Sequence, residues 1–333
     1  MGEIEVKLMN LPFEQVGFAL LQIVGWACGG MVLRKLGWLK REWEGPLLKC
    51  VIWFFYPCLI IRNVMVNRAL AEDPSVLGSI LGCGFCAIAL GHVLSAYVTR
   101  WMKFREVCER NTFVYTTGIF NYGYFAFPVS RALFGEEAFG VLLVFAVGVE
   151  MAIWSVGILF LTAGTGRLNW KKLLNPPLFS MAIALALNWS GAAEGFTGQG
   201  MLMLEKVGWM AIPLGLLLIG AAMYDHLNGL NLKKYIKWVG MACLLRLGIL
   251  PALFVVAAAM LPIIPELKAA LVVEAAMPCG IFPMLIARHY GGSGNTALQI
   301  ILGTTFLSVI TIPLWVLAGV HFAGLEDILI SGK

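Results

Sequence analysis

Residues 274–290 read EAAMPCGIFPMLIARHY, an apolar run that two prolines and a glycine interrupt. Pro278, Gly280 and Pro283 lie within six residues of one another. A proline inside a helix removes a hydrogen-bond donor and clashes with the preceding turn. The stretch therefore predicts an apolar helix that is broken near its middle.

An earlier stretch repeats this pattern. Residues 121–132 read NYGYFAFPVSRA, and FPVSRA at 127–132 matches FPMLIA at 282–287 with an offset of 155 residues. A second pair, VIWFFYP at 51–57 and VGWMAIP at 207–213, shares V-x-W-x-x-x-P with an offset of 156 residues. Because the two offsets agree, the sequence predicts an internal repeat of about half the chain.

The composition excludes a cytosolic enzyme. Of the 333 residues, 60% are hydrophobic and 13% are charged, whereas soluble domains carry about 25% charged residues. A span needs about 20 apolar residues, and we predict ten, at 16–33, 47–66, 77–98, 112–133, 139–162, 177–190, 205–223, 236–260, 267–287 and 297–320. The first span follows an acidic segment without a basic n-region, so we interpret it as retained rather than as a signal peptide.

The distribution of basic residues predicts the orientation. With the N-terminus outside, 16 of the 24 Lys and Arg residues fall in inner loops and six fall outside, as the positive-inside rule requires. We expect both termini to be extracytoplasmic, in the plasma or inner membrane of a prokaryote. The net charge of +5 then reflects topology and not nucleic-acid binding.

Five spans separate the repeat partners, so the second copy enters the membrane from the opposite side. We expect an all-α polytopic protein with two inverted five-helix repeats, 1–162 and 177–333, joined by a short cytoplasmic connector at 163–176. Inverted repeats with broken helices at matching positions are typical of secondary transporters. The alternative is that these prolines form simple kinks relieved by neighbouring helices.

Broken spans 4 and 9 predict a binding site at the membrane midplane. Half-helix N-termini offer amide groups and partial positive charge to an anion. The candidate substrate-binding residues are Asn121, Gly123, Pro128, Pro278, Gly280 and Pro283.

Glu274, Glu150 and Arg246 lie well inside predicted spans, where charge is costly and usually functional. Glu274 lies four residues before Pro278, Glu150 lies in span 5 and Arg246 lies in span 8. Glu150 and Arg246 form either a buried pair or part of the pathway. We expect His92 to be a packed helix residue.

The stretch Pro278-x-Gly280-Ile281-x-Pro283, followed by Ala, a base and Tyr, resembles the ninth-helix signature of the auxin efflux carrier family. Asn121 seven residues before Pro128 is similar to the family's fourth-helix pattern. The resemblance covers most of the chain but not the long hydrophilic loop that many plant members carry.

The resemblance implies a scaffold of helices 1, 2, 6 and 7 and a moving transport domain of helices 3–5 and 8–10. It implies elevator-like transport of small organic anions, with Asn121 at the substrate carboxylate. Glu274 stands where the plant pattern usually has glutamine, and it resembles the Glu-x-x-Met pattern of bile acid sodium symporters. We therefore expect Glu274, with Glu150 as a second candidate, to couple transport to H⁺ or Na⁺.

The sequence contains no catalytic motif, and we expect no enzyme activity, no metal site and no cofactor beyond a coupling ion. The expected partners are a small organic anion, membrane lipid and a second copy bound through the scaffold helices. Substrates consistent with the resemblance are indole-3-acetate, malate and malonate. The alternatives are a membrane sensor on a transporter scaffold, a sodium-coupled symporter, or an intramembrane enzyme.

Overall fold

The computed structural model describes residues 13–66, 74–123, 125–164, 176–191, 198–226 and 232–329. The predicted connector at 163–176 and the N-terminal acidic segment lie largely outside these ranges. Within them the chain is helical, and the only extended pairing is a single antiparallel bridge between Phe120 and Cys279. The all-α prediction is confirmed.

The first half of the chain contains α1 (Phe13–Lys35), α2 (Arg41–Cys50), α3 (Tyr56–Val66), α4 (Pro74–Val98), α5 (Val107–Gly118), α6 (Ala126–Ala152) and α7 (Ile158–Leu161). Helix α6 is kinked at Gly135, whose backbone (φ 81°, ψ −169°) is not helical. The second half contains α8 (Pro176–Trp189), α9 (Gln199–Trp209), α10 (Ala211–His226), α11 (Leu232–Leu244), α12 (Leu250–Met260), α13 (Pro265–Ala276), α14 (Phe282–His289) and α15 (Gly294–Ala323). Single π turns at Val51–Phe55, Ile153–Gly157 and Leu245–Ile249 join α2 to α3, α6 to α7 and α11 to α12.

Six stretches of the described chain are long and apolar enough to cross a membrane: Arg41–Arg62, Val76–Trp101, Glu137–Leu161, Gln199–Asp225, Tyr235–Met260 and Gly294–Ala323. Pro176–Trp189 is a shorter apolar helix. The predicted second span begins at residue 47, but its helix begins at Arg41. The added turn is polar, with Glu42 and Glu44 in its first turn, and hydropathy alone therefore did not detect it.

Pro128, Pro278 and Pro283 lie at the ends of helices and not in helix interiors. Pro283 is the second residue of α14 and Pro128 is the third residue of α6. At these positions the missing N–H has no helical partner to lose, and proline is well tolerated. Pro278 instead ends α13, because the residue before it, Met277, is extended (φ −74°, ψ 140°), as steric clash with a following proline requires.

Glycines set the closest helix contacts, and these contacts fall into two groups. A methyl group at Gly30 of α1 would lie 2.0 Å from the Leu217 carbonyl oxygen of α10. One at Gly148 of α6 would lie 2.1 Å from the Leu81 carbonyl oxygen of α4. Helices α1 and α10, and separately α4 and α6, therefore pack with their backbones in contact.

Helix α8 joins the first of these groups through a polar side chain. Asn188 Nδ2 donates to the carbonyl oxygens of Val64 (3.0 Å) and Met65 (3.3 Å) at the end of α3. Nearby, Arg62 of α3 pairs with Glu205 of α9 at 3.2 Å. These contacts join α3 to α8 and α9, and the Gly30 contact joins α1 to α10, so that α1–α3 and α8–α10 form one packed group.

We expect Gly148→Ala to lower the free energy of unfolding by about 1–3 kcal/mol, because an inserted methyl must push two backbones apart. The measurement is the midpoint of thermal unfolding in detergent. Gly140→Ala in the same helix is the matched control, since a methyl there meets nothing within 4 Å. Equal midpoints for the two variants would contradict the close α4–α6 contact.

Candidate functional site

Two extended segments, Ile119–Asn121 after α5 and Met277–Gly280 after α13, pair with each other inside the protein. We call them the paired segments. The N–H of Asn121 donates to the carbonyl oxygen of Pro278 at 2.8 Å, and the N–H of Gly280 donates to that of Ile119 at 2.9 Å. Two N–H groups and two carbonyl groups beyond the ends of α5 and α13 therefore satisfy one another, which matters where water is scarce.

A third contact fixes the second segment. The N–H of Cys279 donates to Thr304 Oγ1 of α15 at 3.3 Å, and the Thr304 hydroxyl lies 2.9 Å from the carbonyl oxygen of Ile300. Gly280 fits closely, since a methyl group there would lie 3.1 Å from the Phe120 carbonyl oxygen. The segment therefore has little freedom to shift relative to α15.

The predicted substrate residues all lie at or beside the paired segments. Asn121 is buried within the pairing. Gly123 follows it, and a methyl group there would meet nothing within 4 Å, so open space adjoins the break. Helices α6 and α14 begin shortly after the two segments, and their N-termini carry partial positive charge. Pro128 and Pro283 lie in the first turns of these helices.

Glu274 is completely buried one turn before the end of α13. Neither of its carboxylate oxygens receives a hydrogen bond from any described residue. Buried polar groups nearly always have partners, and an unpaired buried charge is more costly still. Glu274 is therefore a buried carboxylate, beside the paired segments, whose charge the described residues do not satisfy by hydrogen bonds.

Arg246 is the nearby opposite charge. It occupies the π turn between α11 and α12, and such turns frequently occur at functional sites. Its guanidinium lies 5.1 Å from the centre of the Phe120 ring and 5.6 Å from that of Phe254. Nη2 approaches the Ala275 carbonyl oxygen at 3.4 Å, while Nε and Nη1 have no partner among the described residues.

Glu150 and Arg246 do not pair. The Glu150 carboxylate instead accepts hydrogen bonds from Tyr56 (2.6 Å), Trp154 Nε1 (2.8 Å) and the hydroxyl of Tyr122. We call these four residues the Glu150 cluster. Tyr122 directly follows Asn121, so the cluster contacts the first paired segment.

Sequence reasoning missed the tyrosines of this cluster. Tyr56 lies in α3, and its ring centre is 5.7 Å from that of Trp154 and 5.1 Å from that of Phe282 in α14. Their positions in the sequence could have indicated them. Tyr56 falls inside the repeated V-x-W-x-x-x-P motif, and Tyr122 directly follows the candidate residue Asn121. Tyr56 brings the α1–α3 and α8–α10 group into contact with the helices around the paired segments.

His92 is packed, as predicted. Its Nδ1 lies 2.8 Å from the Ile88 carbonyl oxygen, and its ring stacks on Phe160 at 5.6 Å. No group of three or more metal-binding side chains occurs in the described part of the chain.

The chain matches the family described as "Membrane transport protein" twice, over residues 16–167 and over residues 161–316. It belongs to this membrane transport protein family, that of the auxin efflux carriers. The family resemblance carried by residues 278–290 is thereby confirmed.

Two archaeal relatives of this transport protein are similar along nearly their whole length. An "Uncharacterized transporter" of Methanothermobacter thermautotrophicus is 24% identical over 86% of this chain and 92% of its own. An "Uncharacterized transporter" of Methanocaldococcus jannaschii is 22% identical over 92% of this chain and 98% of its own. Both relatives are similar in length to this chain. The chain is therefore an integral membrane protein of a transporter family, and not one of a family of enzymes.

Proposed function

We propose that this transporter is a secondary carrier of small organic anions and that the paired segments form its substrate site. The observation that carries the proposal is the pairing of Asn121 with Pro278 and of Gly280 with Ile119. It brings two helix breaks to one buried place, with two helix N-termini beside it. Such breaks are found where transporters bind substrate.

The chemistry of the site favours a carboxylate. The Asn121 side-chain amide can donate a hydrogen bond, the N-termini of α6 and α14 add partial positive charge, and Arg246 adds a full charge close by. Charge-assisted bonds to arginine are strong and suit the planar carboxylate group. Malate, malonate and indole-3-acetate are the substrates to test first.

We propose ten membrane spans in two inverted repeats, with alternating access by an elevator-type movement. Helices α1–α3 and α8–α10 would form the scaffold, and α4–α7 with α11–α15 the transport domain. The backbone contacts at Gly30 and Gly148 support this division, because each lies within one group. Tyr56, by contrast, meets the other group through side chains, which can part without exposing backbone.

Glu274 is the group that we assign to cation coupling. A buried carboxylate without a hydrogen-bond donor is stabilised by a proton or by a bound cation. An inside-negative potential contributes about 2.3 kcal/mol per charge per 100 mV, which suffices to export an anion, whereas uptake needs a coupled cation. Glu150 is the weaker candidate because three donors already satisfy it.

The carrier function is tested by counterflow of radiolabelled carboxylates into liposomes. We expect Asn121→Ala to weaken apparent substrate affinity at least tenfold, about 1.4 kcal/mol, without unfolding the protein. Asn295→Ala, at the half-buried start of α15, is the matched control and should behave as the unaltered protein. Unchanged affinity in folded Asn121→Ala would remove this residue from the site.

Glu274→Gln keeps the shape of the side chain but removes its charge and its ability to exchange a proton. We expect it to abolish the pH or sodium dependence of net transport while substrate exchange continues. The control is Glu266→Gln in the first turn of the same helix, which should keep the dependence. A cation dependence that persists in Glu274→Gln would make this carboxylate structural.

A further inference from the structure

A second group of charges lies outside the paired segments, at the end of the molecule where the predicted inner loops meet. Its members are Arg34 at the end of α1, Arg41 and Glu44 in α2, Asp225 near the end of α10, and Arg288 near the end of α14. We call them the ion cluster. None of them has a role in the proposed substrate site.

Arg34 is the centre of the ion cluster. Its Nη2 lies 2.8 Å from Glu44 Oε2, its Nε lies 3.3 Å from Asp225 Oδ2, and its Nη1 donates to the Leu39 carbonyl oxygen at 2.6 Å. Its side chain is only 5% exposed. Arg41 adds a second contact to Asp225 at 3.2 Å. These four charges join α1, α2 and α10, all of which belong to the scaffold group.

Arg288 comes from the other group and forms an ion pair with Glu44. It belongs to a face of α14 that includes Phe282 and Leu285, because residues three apart lie on one side of a helix. Phe282 contacts Tyr56, and Leu285 lies against Gly215 of α10, where a methyl group would come within 3.0 Å of it. The whole length of this face therefore rests on the scaffold, and Arg288 supplies its charged end.

The charges are arranged so that this contact can open. Glu44 Oε2 accepts a hydrogen bond from Arg34, Oε1 forms the ion pair with Arg288, and the side chain is 10% exposed. If Arg288 leaves, Arg34 still compensates the Glu44 carboxylate, so no buried charge is stranded. Opening a buried ion pair costs most free energy when it leaves one of the two charges without any partner. Arg288 itself is 26% exposed and can reach water.

We propose that the Arg288–Glu44 pair is an ionic latch that holds the transport domain against the scaffold at this end in one access state and opens when the domain moves. The latch rests on the proposed division into scaffold and transport domain. Loss of the pair therefore shifts the population between access states, whereas the remaining pairs of the ion cluster only hold the scaffold together.

The test measures the distance between spin labels on the two groups. Labels are placed at Trp38→Cys, in the exposed turn between α1 and α2, and at Lys103→Cys, in the exposed link between α4 and α5. The eight native cysteines are replaced by alanine, and the reference is this labelled chain with the latch intact. We expect Arg288→Met to at least double the fraction of molecules at the longer distance.

Glu44→Gln is the second variant and should shift the distribution in the same direction, whereas Arg288→Lys should restore most of the reference distribution. Arg41→Met is the matched control, because it removes an arginine pair within the scaffold, and should leave the distribution unchanged. Distributions of folded Arg288→Met and Glu44→Gln that coincide with the reference would overturn the latch. Carboxylate counterflow by the unaltered protein tests the carrier function separately, so the two proposals can fail independently.

Discussion

The two backbone hydrogen bonds between the paired segments are the constraint on which the site depends. A break in a membrane helix frees amide and carbonyl groups that hydrocarbon cannot satisfy, and each unsatisfied group costs several kcal/mol. Here each break supplies the partners for the other: Asn121 donates to Pro278, and Gly280 donates to Ile119. The polar side chains and helix ends between them are therefore held at one buried place.

The buried charges around the paired segments differ in how well they are satisfied. Glu150 has three donors and connects Tyr122 to Tyr56, so it positions the first paired segment against α3. Glu274 has none among the described residues, and Arg246 lies beside it with two nitrogen atoms that have no partner in that part of the chain either. A carboxylate that accepts several hydrogen bonds fixes the side chains around it. A buried carboxylate without hydrogen-bond donors, beside an arginine with unused donors, is suited to bind a transported ion.

Much of the helical framework could be predicted from the sequence, because apolar runs and chain-breaking residues act locally. The helix ends at Gly118 and Ala276 lie next to glycines and prolines that the sequence already shows, and the third predicted span, 77–98, falls within α4. The polar start of α2 escaped detection because hydropathy does not report an amphipathic turn. The positions of Pro128 and Pro283 in the first turns of their helices could be read only from the structure.

The side-chain partnerships could not be predicted, because they join residues far apart in the chain. Tyr56 and Glu150 are 94 residues apart, and their contact depends on how α3 packs against α6. The same holds for Glu44 and Arg288. The sequence predicted that Glu150 and Arg246 lie inside membrane spans, but it could not show that the two residues contact different side chains.

The central claim is that the space beside the paired segments opens alternately to the two sides of the membrane. Gly123→Cys tests it most directly, because a Cβ atom there meets nothing within 4 Å. The measurement is labelling of this single cysteine, in a chain without the native cysteines, by a membrane-impermeant thiol reagent added to either face of proteoliposomes. The account predicts labelling from both faces and slower labelling with a transported carboxylate. Labelling from one face alone, unaffected by any carboxylate that the protein transports, would contradict it.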